Sequence, residues 1–146
     1  MSLKIYTDGS CIFKKLASGR MSKDGVCGWA YAVIDCDFIL CDSGGEKKST
    51  NNRMEMQAVI EALLFITKNY NNRYDLEIFC DSKLVINCAQ GIWQRKSNLD
   101  LWENYDKVVV LLVGKKIRWH KVKSHSGIYM NDLVDEMARK EARRYF

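Results

Sequence analysis

The spacing of apolar and polar residues along the chain predicts an alternation of strands and helices. Five segments alternate between apolar and polar positions, or are continuously apolar, as strands do. These segments are residues 3–7, 28–35, 38–44, 76–80 and 116–122. Residues 14–25 have no hydrophobic period and therefore predict a loop after the first strand.

Four other segments carry apolar residues at helical spacing. The most regular is residues 52–70, with Thr50 or Asn51 available as the N-cap. The other three are a short helix ending near Ala89, a helix over residues 99–113, and a last helix with Asn131 as its cap and a basic end. The predicted order is β-β-β-α-β-α-α-β-α, which is an α/β fold.

Composition changes this picture little. The chain has 146 residues, 47% of them hydrophobic, so we expect one domain spanning residues 1–146. No apolar run of about 18 residues is present, and the N-terminus is typical of a strand rather than a signal peptide. We therefore expect a cytoplasmic monomer in a reducing compartment, with no membrane partner. The net charge of +5 fits a phosphate-bearing partner or a merely solvated surface.

The six cysteines form no Cys-x-x-Cys pair, and several lie in apolar strand or helix patterns. Cysteine acts there as a small hydrophobic residue. We therefore predict six free thiols, without a disulfide or a zinc site.

Four acids are candidates for a shared site. The first and fourth strands end at Asp8 and Asp81, and a right-handed crossover would make these strands parallel neighbours roughly 5 Å apart. Ligand sites of open α/β sheets lie at that carboxyl edge. Glu55 and Asp135 each share a helical face with apolar residues. Converging acids would repel one another and protonate unless a cation held them, and all-oxygen ligation suits Mg²⁺ or Mn²⁺.

Each acid also has a simpler explanation. Asp8 could belong to a turn, Glu55 could complement the helix dipole, and Asp81 could cap a helix. Asp135 could be a solvated acid, and Asp132, three residues earlier, is a rival for its role. The joint arrangement favours the metal site.

These acids lie in six ordered motifs that resemble the type 1 ribonuclease H family, ribonuclease HI. The motifs are Thr7-Asp8-Gly9-Ser10-Cys11, Thr50-Asn51-Asn52-Arg53-Met54-Glu55, Asp81-Ser82, Asn98-Leu99-Asp100-Leu101-Trp102, Val122-Lys123-Ser124-His125-Ser126-Gly127 and Asp135-Glu136-Met137-Ala138. They cover almost the whole chain in order. The resemblance implies a ribonuclease H-like fold: a five-stranded mixed sheet, with three antiparallel then two parallel strands, flanked by helices.

The resemblance also implies an activity, hydrolysis of the RNA strand of RNA–DNA hybrids to give 3′-hydroxyl and 5′-phosphate ends. Asp8, Glu55, Asp81 and Asp135 look like the acids that hold two Mg²⁺ ions, with Mn²⁺ able to substitute. His125 looks like the family's mobile histidine, which assists proton transfer or product and metal release; a plain surface histidine is the alternative. His120 has no such claim.

Further residues resemble the family's substrate-binding groups. They are Gly9, Ser10, Cys11, Lys48, Thr50, Asn51, Asn52, Trp93 and Asn98. Cys11, Asn51 and Asn52 match groups that read the 2′-hydroxyls of the RNA strand, the feature that distinguishes RNA from DNA.

The remaining matches concern the DNA strand. Thr50 and Asn98, together with Lys48, resemble a pocket for a DNA phosphate. Trp93 resembles a residue that stacks on a DNA sugar, although it could equally belong to the core.

Two segments depart from the family pattern. Residues 12–24 form a longer, more basic segment than the usual Gly/Pro-rich loop, and the basic protrusion of many members is reduced to residues 92–97. Both departures put affinity and processivity in doubt rather than cleavage. The alternatives are another nuclease or strand-transferase of the same fold, such as a resolvase or integrase core, or an inert hybrid-binding module.

Overall fold

The computed structural model describes residues 2–36, 38–70, 74–123 and 128–146. Its elements follow the predicted order. They are β1 (Ser2–Lys15), β2 (Met21–Asp35), β3 (Phe38–Ser49), α1 (Asn51–Asn69), β4 (Asp75–Cys80), α2 (Lys83–Ala89), α3 (Leu99–Val110), β5 (Ile117–Lys121) and α4 (Tyr129–Arg144).

The five strands form one sheet in the order β3-β2-β1-β4-β5. β1 pairs antiparallel with β2, and β2 with β3, whereas β1–β4 and β4–β5 are parallel. The predicted mixed sheet is confirmed. β1 continues past the carboxyl end of β4, so Asp8 lies within β1 beside the end of β4 and not, as the sequence had predicted, at the end of its own strand.

Helices cover both faces of this sheet. On one face Leu3 and Ile5 of β1 lie in a core cluster with residues of α1 and α3. On the other face Tyr6 of β1 and Ala30 of β2 pack with Val134 of α4. Because side chains alternate along a strand, β1 presents its residues in turn to α1 and to α4.

The predicted loop over residues 14–25 is wrong. β1 continues to Lys15 and β2 begins at Met21, with Ile12 paired to Val26 and Phe13 to Gly25. This part of the hairpin projects beyond the core, so most of its side chains are exposed and carry no hydrophobic alternation. Backbone pairing holds such a segment without a pattern that the sequence could reveal.

The helix ends agree only in part with the sequence. Thr50 caps α1 as predicted, its hydroxyl accepting from the Arg53 backbone nitrogen. The predicted cap Asn131 is wrong, because α4 begins at Tyr129 and Asn131 is buried inside its first turn. The Asn131 amide instead donates to the Lys123 carbonyl oxygen at 2.9 Å. In the described part of the chain no helix is long and apolar enough to cross a bilayer.

The prediction of six free thiols is also wrong. Cys11 and Cys27 form a disulfide between β1 and β2. The two residues are direct partners in the strand register, with Cα atoms 4.1 Å apart. Their pairing follows from the extended hairpin, which the sequence did not reveal. The free cysteines in the described residues are Cys36, Cys41, Cys80 and Cys88.

Candidate functional site

Four acids meet beside the carboxyl end of β4. Asp8 is buried in β1, Asp81 directly follows β4, Glu55 is buried in α1 and Asp135 lies half-buried in α4. Asp81, Asp135 and Glu55 all act on the pKa of the Asp8 carboxyl, and Asp8 and Asp81 act on that of Glu55, so the four groups are neighbours. The structure thus brings together all four acids that the sequence singled out.

The cluster is electrostatically costly when its members are ionised together. Burial raises the pKa of Asp8 to about 7, and the charge of Asp81 and a hydrogen bond with Asp135 act in the same direction. Burial, then the charges of Asp8 and Asp81, raise the pKa of Glu55 well above its usual value. Such shifts arise when like charges share a low-dielectric site.

One buried oxygen of the cluster lacks a hydrogen-bond donor. Glu55 Oε2 is buried and has no hydrogen-bond partner within the described residues. A buried carboxylate oxygen without a donor is unfavourable unless a cation satisfies it. The four carboxyl groups offer the hard oxygen ligands that Mg²⁺ and Mn²⁺ prefer, so the residues fit a divalent metal site.

Cys80 lies beside these acids, which the sequence did not anticipate. Single ligand atoms of Glu55, Cys80 and Asp81 all lie within 4.8 Å of one another. Burial raises the pKa of the Cys80 thiol, so the thiol stays protonated. A neutral thiol is a poor ligand for a hard cation, and we therefore assign metal binding to the oxygens.

Asp135 rather than Asp132 faces the cluster. α4 lies directly against β2, because a Cβ on Gly28 would overlap the backbone carbonyl oxygen of Ala138. This close approach places Asp135 beside Asp8, with Arg139 3.2 Å from the Asp135 carboxylate. Asp132 is exposed.

Neither histidine can be assigned to this cluster from the described residues. His125 lies outside the described residues, and its predicted role stays a prediction. His120 Nε2 lies 3.2 Å from Glu77 Oε1, on β5 and β4. Its ring also stacks on that of Phe79, with centroids 4.7 Å apart.

The residues predicted to read the RNA strand lie next to the acids. Gly9, Ser10 and Cys11 follow Asp8 along β1 and are partly exposed, although Cys11 is held in the disulfide. Asn51 and Asn52 are exposed in the first turn of α1.

Arg53 connects two residues of the predicted phosphate pocket. Its backbone nitrogen donates to Thr50 Oγ1 at 3.3 Å, and its guanidinium donates to Asn98 Oδ1 at 3.2 Å. The same guanidinium binds both carboxylate oxygens of Asp100, at 3.0 and 2.7 Å. Sequence reasoning missed this role of Arg53, although both motifs containing these residues had been identified. Lys48 lies elsewhere, 3.7 Å from the Asp24 carboxylate.

Trp93 lies on the surface rather than in the core. Its side chain is 41% exposed, and Lys83 Nζ lies 5.8 Å from the ring centroid. Together with Leu84 and Asn98 it lines an open groove of about 490 Å³. The groove therefore presents an aromatic face beside the Arg53–Asn98 contact.

Comparisons with known proteins agree with this arrangement. The ribonuclease H family model matches residues 1–143. Ribonuclease H of Campylobacter jejuni subsp. jejuni serotype O:23/36 (strain 81-176) is 32% identical over 148 residues, covering 96% of this chain and 90% of that protein. Ribonuclease H of Chlorobium phaeovibrioides is 31% identical, covering 96% of this chain and 94% of that protein.

Solved structures are similar over nearly the whole chain. LC9-RNase H1, a type 1 RNase H with the type 2 active-site motif, has a TM-score of 0.74 at 26% identity and covers 99% of this chain and 73% of its own. LC11-RNase H1, solved in complex with an RNA/DNA hybrid, has a TM-score of 0.73 at 21% identity, covering 98% of both chains. At that identity the second likeness concerns the fold alone.

Proposed function

The chain belongs to the ribonuclease H family, and on that premise we propose that Asp8, Glu55, Asp81 and Asp135 are the acids with which it hydrolyses the RNA strand of RNA–DNA hybrids. The observation that carries this proposal is the convergence of the four carboxyl groups at one sheet edge, with a buried Glu55 oxygen left without a donor. The expected products are a 3′-hydroxyl and a 5′-phosphate.

We assign two Mg²⁺ ions to these acids, with Mn²⁺ able to replace them. When bound, such ions activate water and stabilise the charge that develops at phosphorus and on the leaving oxygen. Glu55, Asp81 and Asp135 all act on the pKa of Asp8, so Asp8 would be the acid to contact both ions. As the family resemblance implies, Glu55 and Asp81 would hold the ion that stabilises the leaving 3′ oxygen, and Asp135 would hold the one that activates the attacking water.

Other groups of the chain hold the substrate. Cys11, Asn51 and Asn52 are proposed to read the RNA 2′-hydroxyls, supported by their position beside Asp8. Gly9 and Ser10 offer backbone groups on the same stretch of β1.

A second group of residues is assigned to the DNA strand. Thr50 and Asn98, connected by Arg53, are proposed to bind one of its phosphates, with Trp93 stacking on a sugar. Lys48, which forms an ion pair with Asp24, is proposed to leave that pair and bind the same DNA phosphate.

The remaining assignments rest on the sequence. His125 is proposed to assist proton transfer or product release, as its motif implies. All four acids come from one chain, which supports a monomer in which residues 1–146 form a single catalytic domain. We place this enzyme in the cytoplasm.

The test is a cleavage assay on an RNA–DNA hybrid, with single-stranded RNA, double-stranded RNA and DNA duplex as controls, each with and without Mg²⁺. We expect cleavage of the hybrid alone and only with the metal. Asp81→Asn should lower turnover by orders of magnitude, because an amide is nearly isosteric but cannot neutralise a metal ion. Asp42→Asn, an exposed acid on β3, is the matched control and should cleave like the native chain.

Two outcomes would contradict the proposal. If Asp81→Asn kept more than about a tenth of native turnover, Asp81 would not belong to the metal site. If the native chain bound the hybrid and left it uncut with Mg²⁺ and Mn²⁺, it would be an inert binding module. Cleavage of DNA junctions or duplexes instead of the hybrid would indicate another nuclease of this fold.

A further inference from the structure

The hairpin between β1 and β2 projects from the sheet as a two-stranded ribbon, residues 12–24. In the described pairings, β3 accompanies β2 only as far as the pair of Ser49 with Gly25. β4 leaves β1 earlier still, at the pair of Tyr6 with Phe79. The ribbon is closed by a turn in which the Leu16 nitrogen donates to the Arg20 carbonyl oxygen at 2.7 Å. It begins four residues beyond Asp8 on the same strand.

This ribbon is strongly basic. It carries four basic residues, Lys14, Lys15, Arg20 and Lys23, against a single acid, Asp24. All four basic residues are exposed. Lys47 and Lys48 at the end of β3 add two more exposed cations. Among the described residues, Lys48 forms an ion pair with Asp24.

Four of the lysines surround one groove. Lys14 and Lys23 of the ribbon and Lys47 and Lys48 of β3 line an open depression of about 370 Å³. Ile12 also lines it, as does one acid, Asp24, which lies 3.7 Å from Lys48. The groove therefore combines a concave shape with positive walls, a combination that attracts an extended polyanion.

The groove lies on the same face of β1 as the acid cluster. Side chains alternate along a strand, so Asp8, Ser10 and Ile12 point to one side of the sheet, and Ile12 lines the groove together with Lys14. Six residues separate Asp8 from Lys14, and at about 3.3 Å per residue the two lie roughly 20 Å apart. With phosphates spaced about 3.4 Å along a strand, that distance corresponds to about six nucleotides.

We propose that this groove binds the sugar–phosphate backbone of the RNA–DNA hybrid about six nucleotides from the bond that is cut. The inference rests on the proposed function, because it assigns the same substrate molecule to both places. Two observations favour a nucleic acid backbone. The positively charged lysine side chains complement negatively charged phosphates, and the groove lies further along the strand that carries Asp8 of the acid cluster. An acidic protein or a second nucleic acid is an outcome of the test.

The test compares two variants on two hybrids. The groove variant combines Lys14→Ser, Lys23→Ser and Lys47→Ser, and the control variant combines Lys4→Ser, Lys68→Ser and Lys116→Ser, exposed lysines remote from the carboxyl edge. The short hybrid extends about four base pairs to either side of the cut, and the long one about twelve. Binding is measured without divalent cations over a range of salt, so the result does not depend on cleavage.

We expect the groove variant to bind the long hybrid at least about tenfold more weakly than the native chain at 0.1 M salt. Its salt dependence should flatten by roughly one unit of slope per lysine, about three in all. The short hybrid ends before the groove, so the groove variant and the native chain should bind it with much more similar affinities. The control variant should match the native chain on both hybrids. When the short hybrid is extended on one side of the cut only, the difference in affinity between the groove variant and the native chain should return for one side and not for the other.

A second measurement uses the native chain and needs no variant. Single methylphosphonate substitutions remove one phosphate charge at a time along the long hybrid. Neutralising phosphates about six nucleotides from the cut should weaken native binding and leave the groove variant unaffected.

Two results would overturn the proposal. One is an unchanged affinity and salt slope of the groove variant on the long hybrid, which would leave the groove to another polyanion. The other is an equal loss on both hybrids, which would place the lysines at the cleavage site. Neither result bears on cleavage itself, whose failure in the hybrid assay would overturn the proposed function instead.

Discussion

The backbone nitrogen of Glu55 lies 2.5 Å from the position that a Cβ on Gly9 would occupy. The backbone carbonyl carbon of Met54 is equally close, at 2.6 Å. α1 therefore rests directly on the backbone of β1, one residue after Asp8. This contact brings the Glu55 carboxyl to Asp8, and only glycine permits it.

We predict that Gly9→Ala displaces α1 from β1. The added methyl group meets backbone atoms that no side-chain rotation can move aside, so overpacking should cost about 1 to 3 kcal/mol. A displacement of about 1 Å at the acids should lower turnover on the hybrid by roughly 10²-fold. Thermal unfolding and steady-state cleavage measure the two effects.

Gly114→Ala is the matched control for this glycine substitution. Gly114 has a φ of +91° and open space around its Cβ position, so alanine there is strained without displacing a neighbour. It should cost roughly 1 to 2 kcal/mol and leave turnover per folded molecule unchanged. Full activity of Gly9→Ala would show that the approach of α1 does not position Glu55.

The disulfide between Cys11 and Cys27 predicts a redox-dependent stability. The bond closes a loop of 16 residues, and cross-linking such a loop stabilises the folded state by about 3 kcal/mol through the unfolded chain. The double variant Cys11→Ala, Cys27→Ala should unfold at a lower temperature than the oxidised native chain. Dithiothreitol should lower the melting temperature of the native chain and leave that of the double variant unchanged.

Thiol titration of the unreduced, unfolded native protein provides an independent count. Four titratable thiols are expected, and four remain in the double variant. Six thiols in the unreduced native chain would restore the expectation drawn from the sequence.

Asp100 predicts an acid-dependent loss of stability. Hydrogen bonds from the Arg53 guanidinium lower the pKa of Asp100 to about 2. Its unfolded value is about 3.9, so the ionised pair stabilises the fold above that pH and the contribution disappears as the pH falls through about 2. Asp100→Asn should therefore melt below the native chain at neutral pH, and the difference should vanish between about pH 4 and pH 2. A constant difference down to pH 2 would show that Arg53 does not hold this carboxylate.

The cluster of four acids was the most predictable part of this protein. Asp8 of β1 lies level with Asp81 after β4 because these strands are parallel neighbours, a topology that the order of elements already implies. Glu55 was conspicuous as an acid on an apolar helical stripe. These are patterns within single elements, which a sequence displays directly.

Contacts between elements were harder to predict from the sequence. The ribbon beyond Ile12 is held by backbone pairing and has little buried surface, so no hydrophobic period marks it. The disulfide depends on strand register, which follows from that pairing. Asn131 has the side chain of a typical cap, but its amide is used to bind the Lys123 carbonyl instead. In each case tertiary contact overrides a local preference.

The last acid of the cluster can be tested by a pair of neighbouring substitutions. Asp132 and Asp135 are both in the first two turns of α4, but Asp135 acts on the pKa of Asp8 and is half-buried, whereas Asp132 is exposed. We predict that Asp135→Asn loses at least about 10²-fold in turnover with Mg²⁺, as expected when a metal ligand is removed. Asp132→Asn should keep native turnover, because its carboxylate contributes no oxygen to the cluster.

Binding of Mg²⁺ gives this comparison a readout besides activity. A ligand that binds only the folded state stabilises it by about 2.7 kcal/mol at one hundred times its dissociation constant, so Mg²⁺ should raise the melting temperature of the native chain and of Asp132→Asn. Asp135→Asn should show a smaller rise, since one of the oxygens that hold the ion is gone. If the two variants exchanged these behaviours, the ligand would be Asp132, and α4 would have to rotate about its axis to bring that residue to Asp8. If both variants behaved like the native chain, neither acid would hold the metal, and the site would consist of Asp8, Glu55 and Asp81 alone.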